Sequence, residues 1–448
     1  MNKNSLKIYE KSEVKNETLE YFKGDELATQ VWINKYCLKD SEGNLYEKSP
    51  EDMHRRLASE LARIEAKYPN PLPEEEIFET FDRFKRIVPQ GSPMTGIGNN
   101  MQAISLGNCF VIGNKADSYG GILKIDQEQV QLMKRRGGVG HDLSFIRPQG
   151  SPVKNSALTS TGIVPFMERY SNSTKEVAQD GRRGALMLSV SMKHPDAEGF
   201  IDAKMEQGKI TGANVSVKID DAFMKAVVND TQYIQHYPVD WESFYNDEVS
   251  AGFLNDFEQG NLKEDKLYTL GKGVYAKIIN ARKLWKKIIY NAWKSAEPGI
   301  LFWDNILNES ISSCYGKEWK ETSTNPCGEL PLPPYDSCRL LAVNLYGYVV
   351  NPFTTKAYFN QELFSKDVQI AQRYMDDIID LELEKIDIIL EKIKKDPENE
   401  FIKIYEIKLW ENLRKMTELG RRTGLGVTGE GDMLAALGLT YGTDDANK

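Results

Sequence analysis

Cysteine and histidine are both scarce in this sequence, and their scarcity limits the kinds of site that it can hold. The chain of 448 residues has only five cysteines and four histidines. They are Cys37, Cys109, Cys314, Cys327 and Cys338, and His54, His141, His194 and His236. So few cysteines form no dense disulfide framework, and no two of these residues have the C-x-x-C or H-x-x-x-H spacing of zinc sites. We therefore assign no metal ligand.

The sequence also lacks an excess of positive charge and a long apolar run. It has 57 Lys and Arg against 66 Asp and Glu, a formal net charge of −9 at pH 7. This balance argues against a protein that coats nucleic acid, which needs a basic surface. No stretch approaches the roughly 18 apolar residues of a membrane-spanning helix, and the polar start MNKNSLKIYEK lacks the apolar segment of a secretory signal. We predict a reduced, soluble, cytoplasmic protein without direct nucleic-acid or membrane partners.

Hydrophobic periodicity divides the chain into a helical domain, residues 1–88, and an α/β region, residues 89–448. Prolines bound two predicted amphipathic helices, Glu51–Tyr68 and Glu74–Ile87. Strands then alternate with helices, which is typical of partly parallel sheets. The predicted strands are Cys109–Gly113, Val139–Ile146, Ala185–Met192, Ala213–Ile219 and Leu340–Leu345, and the predicted helices include Asp126–Arg136, Val164–Ala178 and Ala281–Ser295. Residues 228–272 are polar, and we expect an irregular surface excursion there.

The segment Gln361–Leu419 is strongly helical and rich in charge. Ile386, Ile389, Leu390 and Ile393 recur at helical spacing and predict one apolar face. The Lys and Glu residues between them are expected to form a solvated face.

Two glycine-rich segments resemble phosphate-binding motifs but lack their context. Gly424, Gly426 and Gly429 in GLGVTG have G-x-G-x-x-G spacing, yet a long helix precedes them where the dinucleotide motif needs a strand. Close backbone packing explains these glycines better. The segment RRGGVG at 135–140 lacks the Gly-Lys-Ser/Thr ending of a phosphate loop and is expected to form a helix C-cap and turn.

The segment TNPCGE at 324–329 is chemically more informative. In an extended chain, Asn325, Cys327 and Glu329 would point to one side and share a pocket. A thiol beside an amide and a proton-accepting carboxylate suits redox or radical chemistry on a polar substrate. If the strand at Cys109 lies beside this loop, Cys109 and Cys338 could form a reversible disulfide near Cys327. A buried cysteine in a proline-rich loop is the alternative.

Five ordered segments together resemble the catalytic chain of ribonucleotide reductase. They are SLGNCFVIG, KRRGGVGHDLSFIRPQGSPV, GRRGALMLSVSMKHPD, STNPCGE and RRTGLGVTGEGDMLAALGL. The resemblance covers nearly the whole chain. It implies an α/β fold, the N-terminal part of a ten-stranded barrel made of two parallel five-stranded halves, preceded by a helical domain.

The resemblance also implies catalytic roles for five residues. Cys327 matches the cysteine that becomes a thiyl radical and abstracts hydrogen from ribose C3′. Glu329 matches the carboxylate that takes the 3′-hydroxyl proton, and Asn325 matches the amide that binds the ribose hydroxyls. Cys109 and Cys338 match the pair that supplies two electrons as the 2′-hydroxyl leaves as water, and so becomes a disulfide.

Further binding residues follow from the same resemblance. Ser92, Gly138 and Asn325 are expected to contact the substrate. A deoxynucleotide or ATP effector is expected at Asp117, Ser118, Arg147, Lys209 and Gly212. Lys209 and Gly212 belong to the segment Glu206–Asn214, which resembles the loop that carries the effector signal to the substrate.

The resemblance is strongest to members that depend on adenosylcobalamin, and a radical supplied by a metal-containing partner subunit is the alternative. A homodimer and a thioredoxin- or glutaredoxin-like reductant are the other implied partners. The sequence ends at Lys448, before the later barrel strands of the family. We therefore expect a complementing C-terminal chain. An inactive fragment that keeps effector binding and a non-catalytic thiol-redox or assembly protein remain alternatives.

Overall fold

The computed structural model describes residues 7–113, 115–179, 182–241, 244 and 248–448. The helices are α1 Lys11–Tyr21, α2 Glu26–Lys35, α3 Pro50–Glu65, α4 Glu74–Phe81, α5 Gly91–Gly96, α6 Tyr119–Met133, α7 Val164–Glu176, α8 Ala197–Asp202, α9 Asp221–Asn229, α10 Glu248–Glu258, α11 Ala281–Ser295, α12 Trp303–Glu309, α13 Gln361–Lys395, α14 Glu400–Gly420, α15 Glu430–Leu437 and α16 Asp444–Asn447. The strands are β1 Ile87–Pro89, β2 Cys109–Val111, β3 Gly138–Asp142, β4 Ala178–Gln179, β5 Arg182–Arg183, β6 Leu186–Ser191, β7 Asn214–Ile219, β8 Gln232–Tyr237, β9 Tyr268–Gly271, β10 Val274–Asn280, β11 Gly299–Phe302, β12 Ser323–Thr324, β13 Pro331–Leu332, β14 Ser337–Cys338, β15 Leu340–Asn344, β16 Val349–Val350, β17 Tyr358–Phe359 and β18 Gly424–Thr428. The beginning of the polar start and parts of GRRGAL and of the segment 228–272 lie outside the described residues.

The first part of the chain is helical, as expected, but one helix ends early. Ser49 caps α3, whose Leu57, Leu61 and Ile64 are fully buried. The helix predicted to reach Ile87 ends at Phe81, so this boundary was wrong. Arg83 has a φ of 55°, a left-handed conformation that interrupts a right-handed helix, and the chain then enters strand β1.

The central sheet confirms the α/β class. Its strand order is β11-β7-β6-β3-β2-β14. The first five strands in this order are mutually parallel, and β14 is antiparallel to β2. A second sheet has the order β1-β15-β18. Five parallel strands are what one half of the expected barrel requires, and the barrel is not closed within the described part of the chain.

The segment 228–272 is not irregular. Strands β8, β9 and β10 form an antiparallel sheet that packs with α10 around its own small apolar cluster. The buried members of the cluster are Ile234, Phe244, Phe253, Ala276 and Ile278. The prediction was wrong because so few apolar residues, spread over a polar segment, give a weak periodic signal.

The long helices α13 and α14 confirm the helical prediction for Gln361–Leu419. Ile386, Ile389, Leu390 and Ile393 are buried, as expected. The prediction that the Lys and Glu residues face solvent is correct only in part, because Glu382 and Lys385 are buried. None of the helices in the described ranges is long and apolar enough to cross a membrane.

The glycines of GLGVTG have packing roles at two of three positions. A Cβ on Gly424 would lie 2.5 Å from Cδ2 of Leu340. A Cβ on Gly429 would lie 2.5 Å from Oδ1 of Asn344, and its φ is 71°. Gly426 has nothing within 4 Å of a built Cβ. These glycines let β18 pair closely with β15, as the packing interpretation predicts.

Candidate active site

Strands β12 and β13 form a short hairpin, residues 323–332, whose tip carries the TNPCGE motif. Asn325 closes the tip, since its N–H donates to the Leu330 carbonyl at 3.1 Å and its Oδ1 accepts from the Leu330 N–H at 2.9 Å. Gly328 has a φ of 87°, which a glycine adopts without strain. Residues 326–329 therefore form a tight turn instead of the extended segment that we expected. Asn325 is buried beneath this turn, whereas Cys327 and Glu329 are exposed.

Two glycines of β3 make room for the hairpin. A Cβ on Gly140 would lie 1.8 Å from the Thr324 carbonyl oxygen, and one on Gly138 would lie 2.9 Å from Cγ of Pro326. Any larger residue at 140 would collide with the backbone of the hairpin. The RRGGVG segment itself ends α6 with a turn, as expected, because the Gly137 N–H donates to the Leu132 carbonyl at 3.2 Å. Gly138, the expected substrate contact, lies under the hairpin tip.

Strands β6 and β7 hold the hairpin at three levels. At the tip, Nδ2 of Asn214 donates to the Pro326 carbonyl at 2.8 Å. In the middle, the hydroxyls of Ser189 and Ser323 are 2.9 Å apart. At the base, Nζ of Lys218 donates to the Thr322 carbonyl at 3.1 Å and forms a buried ion pair with Asp142 at 2.8 Å. The sequence analysis missed these anchors because they come from separate strands with no motif of their own.

Cys109 and Cys338 lie directly opposite each other on antiparallel strands β2 and β14. Directly opposed residues in such a pair have Cα atoms about 4.5–5.5 Å apart, which is within the range of a disulfide. Both residues are buried thiols that are not joined by a disulfide in the structure. Nδ2 of Asn325 lies 3.5 Å from Sγ of Cys109, so the hairpin tip contacts this pair. The structure thus brings Cys109 and Cys338 together beside the hairpin that carries Cys327.

The electrostatics of the site favour protonated thiols. A hydrogen bond with Cys109, followed by burial, raises the pKa of Cys338 well above its ordinary value. Partial burial raises the pKa of Cys327, and electrostatic interactions with Glu329 and Cys109 add to this effect. A thiol with a raised pKa keeps its S–H bond at neutral pH. The site is thus suited to the transfer of hydrogen atoms and protons more than to thiolate attack.

Two buried ionic residues fix the backbone around the dithiol, and neither was identified from the sequence. Glu382 of α13 accepts hydrogen bonds from Oγ of Ser105 at 2.5 Å and from the Leu106 N–H at 2.6 Å. Arg339 donates to Oγ of Ser337 at 2.9 Å and lies 3.9 Å from Glu382. The position of Arg339 directly after Cys338 was a signal in the sequence that could have identified it. Glu382 gave none, because its helix appeared to present its charges to solvent.

Among the expected binding residues, Ser92 has the environment of a ligand contact. Its side chain is 1% exposed and its hydroxyl has no hydrogen-bond partner among the described residues. Oδ1 of Asn108, the residue before Cys109, is also buried without a partner there. Buried polar atoms are usually hydrogen-bonded, so both atoms are available to a substrate.

The expected effector residues form two groups. Asp117 pairs with Arg147, whose backbone N–H donates to the carboxylate at 2.9 Å, and Ser118 caps α6. Lys209 lies 2.5 Å from Glu206 and 3.7 Å from Glu168. The Gly212 N–H donates to Oγ of Ser171 at 2.9 Å. Within the described ranges, no hydrogen bond or ion pair joins these two groups.

Comparison with known proteins agrees with this geometry. A family model described as the ribonucleotide reductase barrel domain matches residues 107–448, and one described as the ribonucleotide reductase all-alpha domain matches residues 22–89. A vitamin B12-dependent ribonucleoside-diphosphate reductase of Thermoplasma acidophilum is 28% identical over an alignment of 478 positions, gaps included. The alignment covers 94% of this chain and 54% of the relative. The reductase of the same name from Mycobacterium tuberculosis is 27% identical over 422 residues, covering 94% and 51%.

A ribonucleoside-diphosphate reductase subunit alpha of Helicobacter pylori is 27% identical over 289 residues, covering 63% of this chain and 35% of the relative. The chain spans about half the length of the two B12-dependent relatives. Since the barrel-domain match alone covers more than half of the chain, this protein belongs to the ribonucleotide reductase family.

Proposed function

We propose that this chain supplies the thiol site of a ribonucleotide reductase that converts ribonucleoside diphosphates to deoxyribonucleotides by thiyl-radical chemistry. The observation that carries the proposal is the pairing of Cys109 with Cys338 beneath the hairpin tip, where Asn325 contacts Cys109. The names of the B12-dependent relatives, which are ribonucleoside-diphosphate reductases, support the diphosphate substrate. The family resemblance supplies the individual roles.

The proposed reaction assigns one step to each group. Cys327, as a thiyl radical, takes the hydrogen atom from ribose C3′, and Glu329 accepts the proton of the 3′-hydroxyl. The 2′-hydroxyl takes a proton from the Cys109–Cys338 dithiol and leaves as water. The dithiol then supplies two electrons and a second proton to the ribose, and an S–S bond forms. Glu329 returns its proton to the 3′-oxygen, and Cys327 returns its hydrogen atom to C3′ and becomes a radical again.

The raised pKa values of Cys327 and Cys338 support this assignment, because both must carry hydrogen when the substrate binds. Ser92, Gly138 and Asn325 are the proposed substrate contacts. Asp117, Ser118, Arg147, Lys209 and Gly212 are the proposed effector contacts. An external dithiol protein of the thioredoxin or glutaredoxin type would reduce the disulfide after each turnover.

We propose adenosylcobalamin as the radical source, because the two relatives that cover 94% of this chain are named B12-dependent. When bound, it would supply the radical that Cys327 carries. The side chain of Cys327 is exposed, so a cofactor or a metal-containing partner subunit, the alternative source, has access to its sulfur. A helical domain 1–88, a barrel region 89–448, a homodimer, a complementing C-terminal portion and a cytoplasmic location complete the proposal.

The test combines this chain with the polypeptide that corresponds to the uncovered half of the Thermoplasma relative. Reduction of cytidine diphosphate is measured with adenosylcobalamin and dithiothreitol. We expect product only from the mixture, and none when Cys327→Ser or Cys338→Ser replaces the parent chain. Turnover that survives Cys327→Ser would contradict the radical role, and robust turnover by the chain alone would contradict the need for a complement. Cys314→Ser, which alters an exposed cysteine with no assigned role, is the matched control.

A further inference from the structure

A cavity lies at the end of the parallel strands opposite the thiols. Its volume is about 620 Å³, within the range of small-ligand sites. Asp142, Ser191 and Lys218, at or near the carboxyl ends of β3, β6 and β7, line it together with Trp303, which follows β11. Ligands of open parallel sheets most often bind at this edge, because the connecting loops and helix starts converge there.

One residue of the cavity wall, Glu321, is a buried carboxylate with unusual surroundings. It is 3% exposed and lies just before the hairpin. Its Oε1 accepts hydrogen bonds from the hydroxyls of Ser310 and Ser312, whereas its Oε2 has no hydrogen-bond partner within the described part of the chain. Among the residues that the structure describes, no cationic nitrogen forms an ion pair with Glu321. A buried carboxylate is stable only when it is paired and hydrogen-bonded, so this geometry favours a cationic ligand.

The lysines of the same wall do not supply that charge. Three of them have their own carboxylates, in the pairs Lys218–Asp142 at 2.8 Å, Lys115–Asp240 at 2.6 Å and Lys193–Asp220 at 3.9 Å. The other two, Lys317 and Lys320, are exposed, as is Glu318. Asp304 is half-buried in the wall and forms no ion pair within the described ranges. With Asp304 and Glu321, the inner surface of the cavity has an excess of negative charge.

We propose that this cavity binds a small aliphatic amine whose ammonium group contacts Oε2 of Glu321. A single available oxygen suits the point charge of an ammonium, because a guanidinium fork would need both oxygens. Oγ1 of Thr322 is buried, lines the cavity and has no partner, so it offers a second acceptor. The side chains of Val239 and Leu307 provide apolar wall for the methylene chain.

The choice of an organic cation follows from the ligand set. No group of three or more His, Cys, Asp or Glu side chains in the described residues is arranged to hold a metal ion. An amine needs only one carboxylate oxygen and one or two further acceptors, which Glu321 and Thr322 provide. A diamine gains a second contact, because Asp304 and Glu318 line the same cavity. We therefore expect a diamine to bind more tightly than a monoamine.

Isothermal titration calorimetry of the purified chain with diaminobutane, butylamine and butanediol tests this site. We expect saturable binding of diaminobutane, weaker binding of butylamine, and none of the uncharged diol. Glu321→Gln removes the charge while keeping the shape, and it should weaken diaminobutane binding by about tenfold or more. Glu398→Gln, which changes an exposed carboxylate between α13 and α14, should leave the affinity unchanged.

Three results would overturn the proposal. They are equal affinity of Glu321→Gln and the parent chain, binding of the diol as tight as that of the diamine, and no saturable heat with diaminobutane. Thermal unfolding of each variant is measured first. If Glu321→Gln does not fold, Thr322→Val decides the question, because it removes the second acceptor without touching the carboxylate, and unchanged affinity in that variant would also contradict the site.

Discussion

The two ends of the parallel strands differ in how charged groups contact the hairpin, which touches both ends. At the amino ends, partial burial and Glu329 raise the pKa of Cys327. The hydrogen bond with Cys109 and burial raise the pKa of Cys338, and the charge of Arg339 opposes this only in part. At the carboxyl ends, the base of the hairpin rests on the buried ion pair of Lys218 with Asp142. The thiol end thus preserves S–H bonds while the buried Arg339 and Glu382 fix its backbone, whereas the other end places a full ion pair directly at the hairpin.

This difference suggests a division of labour within the hairpin. A buried ion pair is rigid when both partners are satisfied, but it would disturb the pKa of a nearby thiol. Placing the pair at Thr322, five residues before Cys327, keeps this anchor away from the sulfur that we propose to react. Among the described residues, the hydrogen bonds that hold the tip are neutral ones, from Asn214 to Pro326 and between Asn325 and Leu330. Substitutions at each level can therefore separate anchoring from chemistry.

Lys218→Met should have the largest effect on stability. It leaves Asp142, whose side chain is 3% exposed, without its cation, and breaking a buried pair in this way costs about 3–5 kcal/mol. Urea unfolding measures the loss, and faster alkylation of Cys327 would report the released hairpin. The double variant with Asp142→Leu should recover most of the stability, because no unpaired charge remains. Lys395→Met, in an exposed pair, should change stability by less than about 0.5 kcal/mol.

Gly140→Ala should have the next largest effect. The new Cβ would lie 1.8 Å from the Thr324 carbonyl oxygen, and backbone cannot yield as a flexible side chain does. We expect a loss of about 1–3 kcal/mol from overpacking, together with displacement of the hairpin. Gly426→Ala is the matched control, since this strand glycine has nothing within 4 Å of a built Cβ. Equal unfolding midpoints for the two variants would mean that the hairpin does not require a glycine at position 140 of β3.

The thiol residues could be predicted from the sequence because short local motifs mark them. Cys109, Asn325, Cys327, Glu329 and Cys338 lie in short motifs whose residue types already indicate the chemistry. Strand positions near them were also predictable, because parallel strands are short apolar runs between turn residues. The prediction that Asn325, Cys327 and Glu329 share one side rested on an extended chain. The turn at Gly328 brings Glu329 near Cys327 by another route.

The remaining features depend on contacts between distant parts of the chain. The carboxylate of Glu382 looked solvated in its own helix, and only packing against the loop at Ser105 buries it. Lys218 and Asp142 are 76 positions apart, since 218 − 142 = 76, and nothing local marks them as a pair. The early end of α4 follows from the left-handed conformation of Arg83, which its residue type does not demand. Long-range pairing, more than local propensity, decided the first two of these outcomes.

Asn214→Ala tests the neutral anchor at the tip. It removes the hydrogen bond from Nδ2 to the Pro326 carbonyl, and because this site is partly exposed we expect a cost of only about 0.5–1 kcal/mol. The alkylation rate of Cys327 should nevertheless rise, since the tip loses a direct contact. Asn308→Ala, at an exposed position of α12, is the control and should change neither quantity. If Asn214→Ala leaves the alkylation rate of Cys327 unchanged, the contacts at the base of the hairpin are sufficient to position its tip.

Glu329→Gln should have the smallest effect on stability and a specific effect on pH dependence. The negative charge of Glu329 disfavours the Cys327 thiolate and so raises the pKa of this thiol. Removing the charge lowers that pKa, and alkylation of Cys327 should therefore begin at lower pH. Both side chains are exposed, so water weakens the interaction and we expect a small downward shift of the alkylation midpoint. Mass spectrometry of Cys327 alkylation across the pH range measures it, with Glu398→Gln as the charge-matched control. A midpoint that moves upward, or equally in both variants, would separate Glu329 from the thiol and leave burial as the reason for its raised pKa.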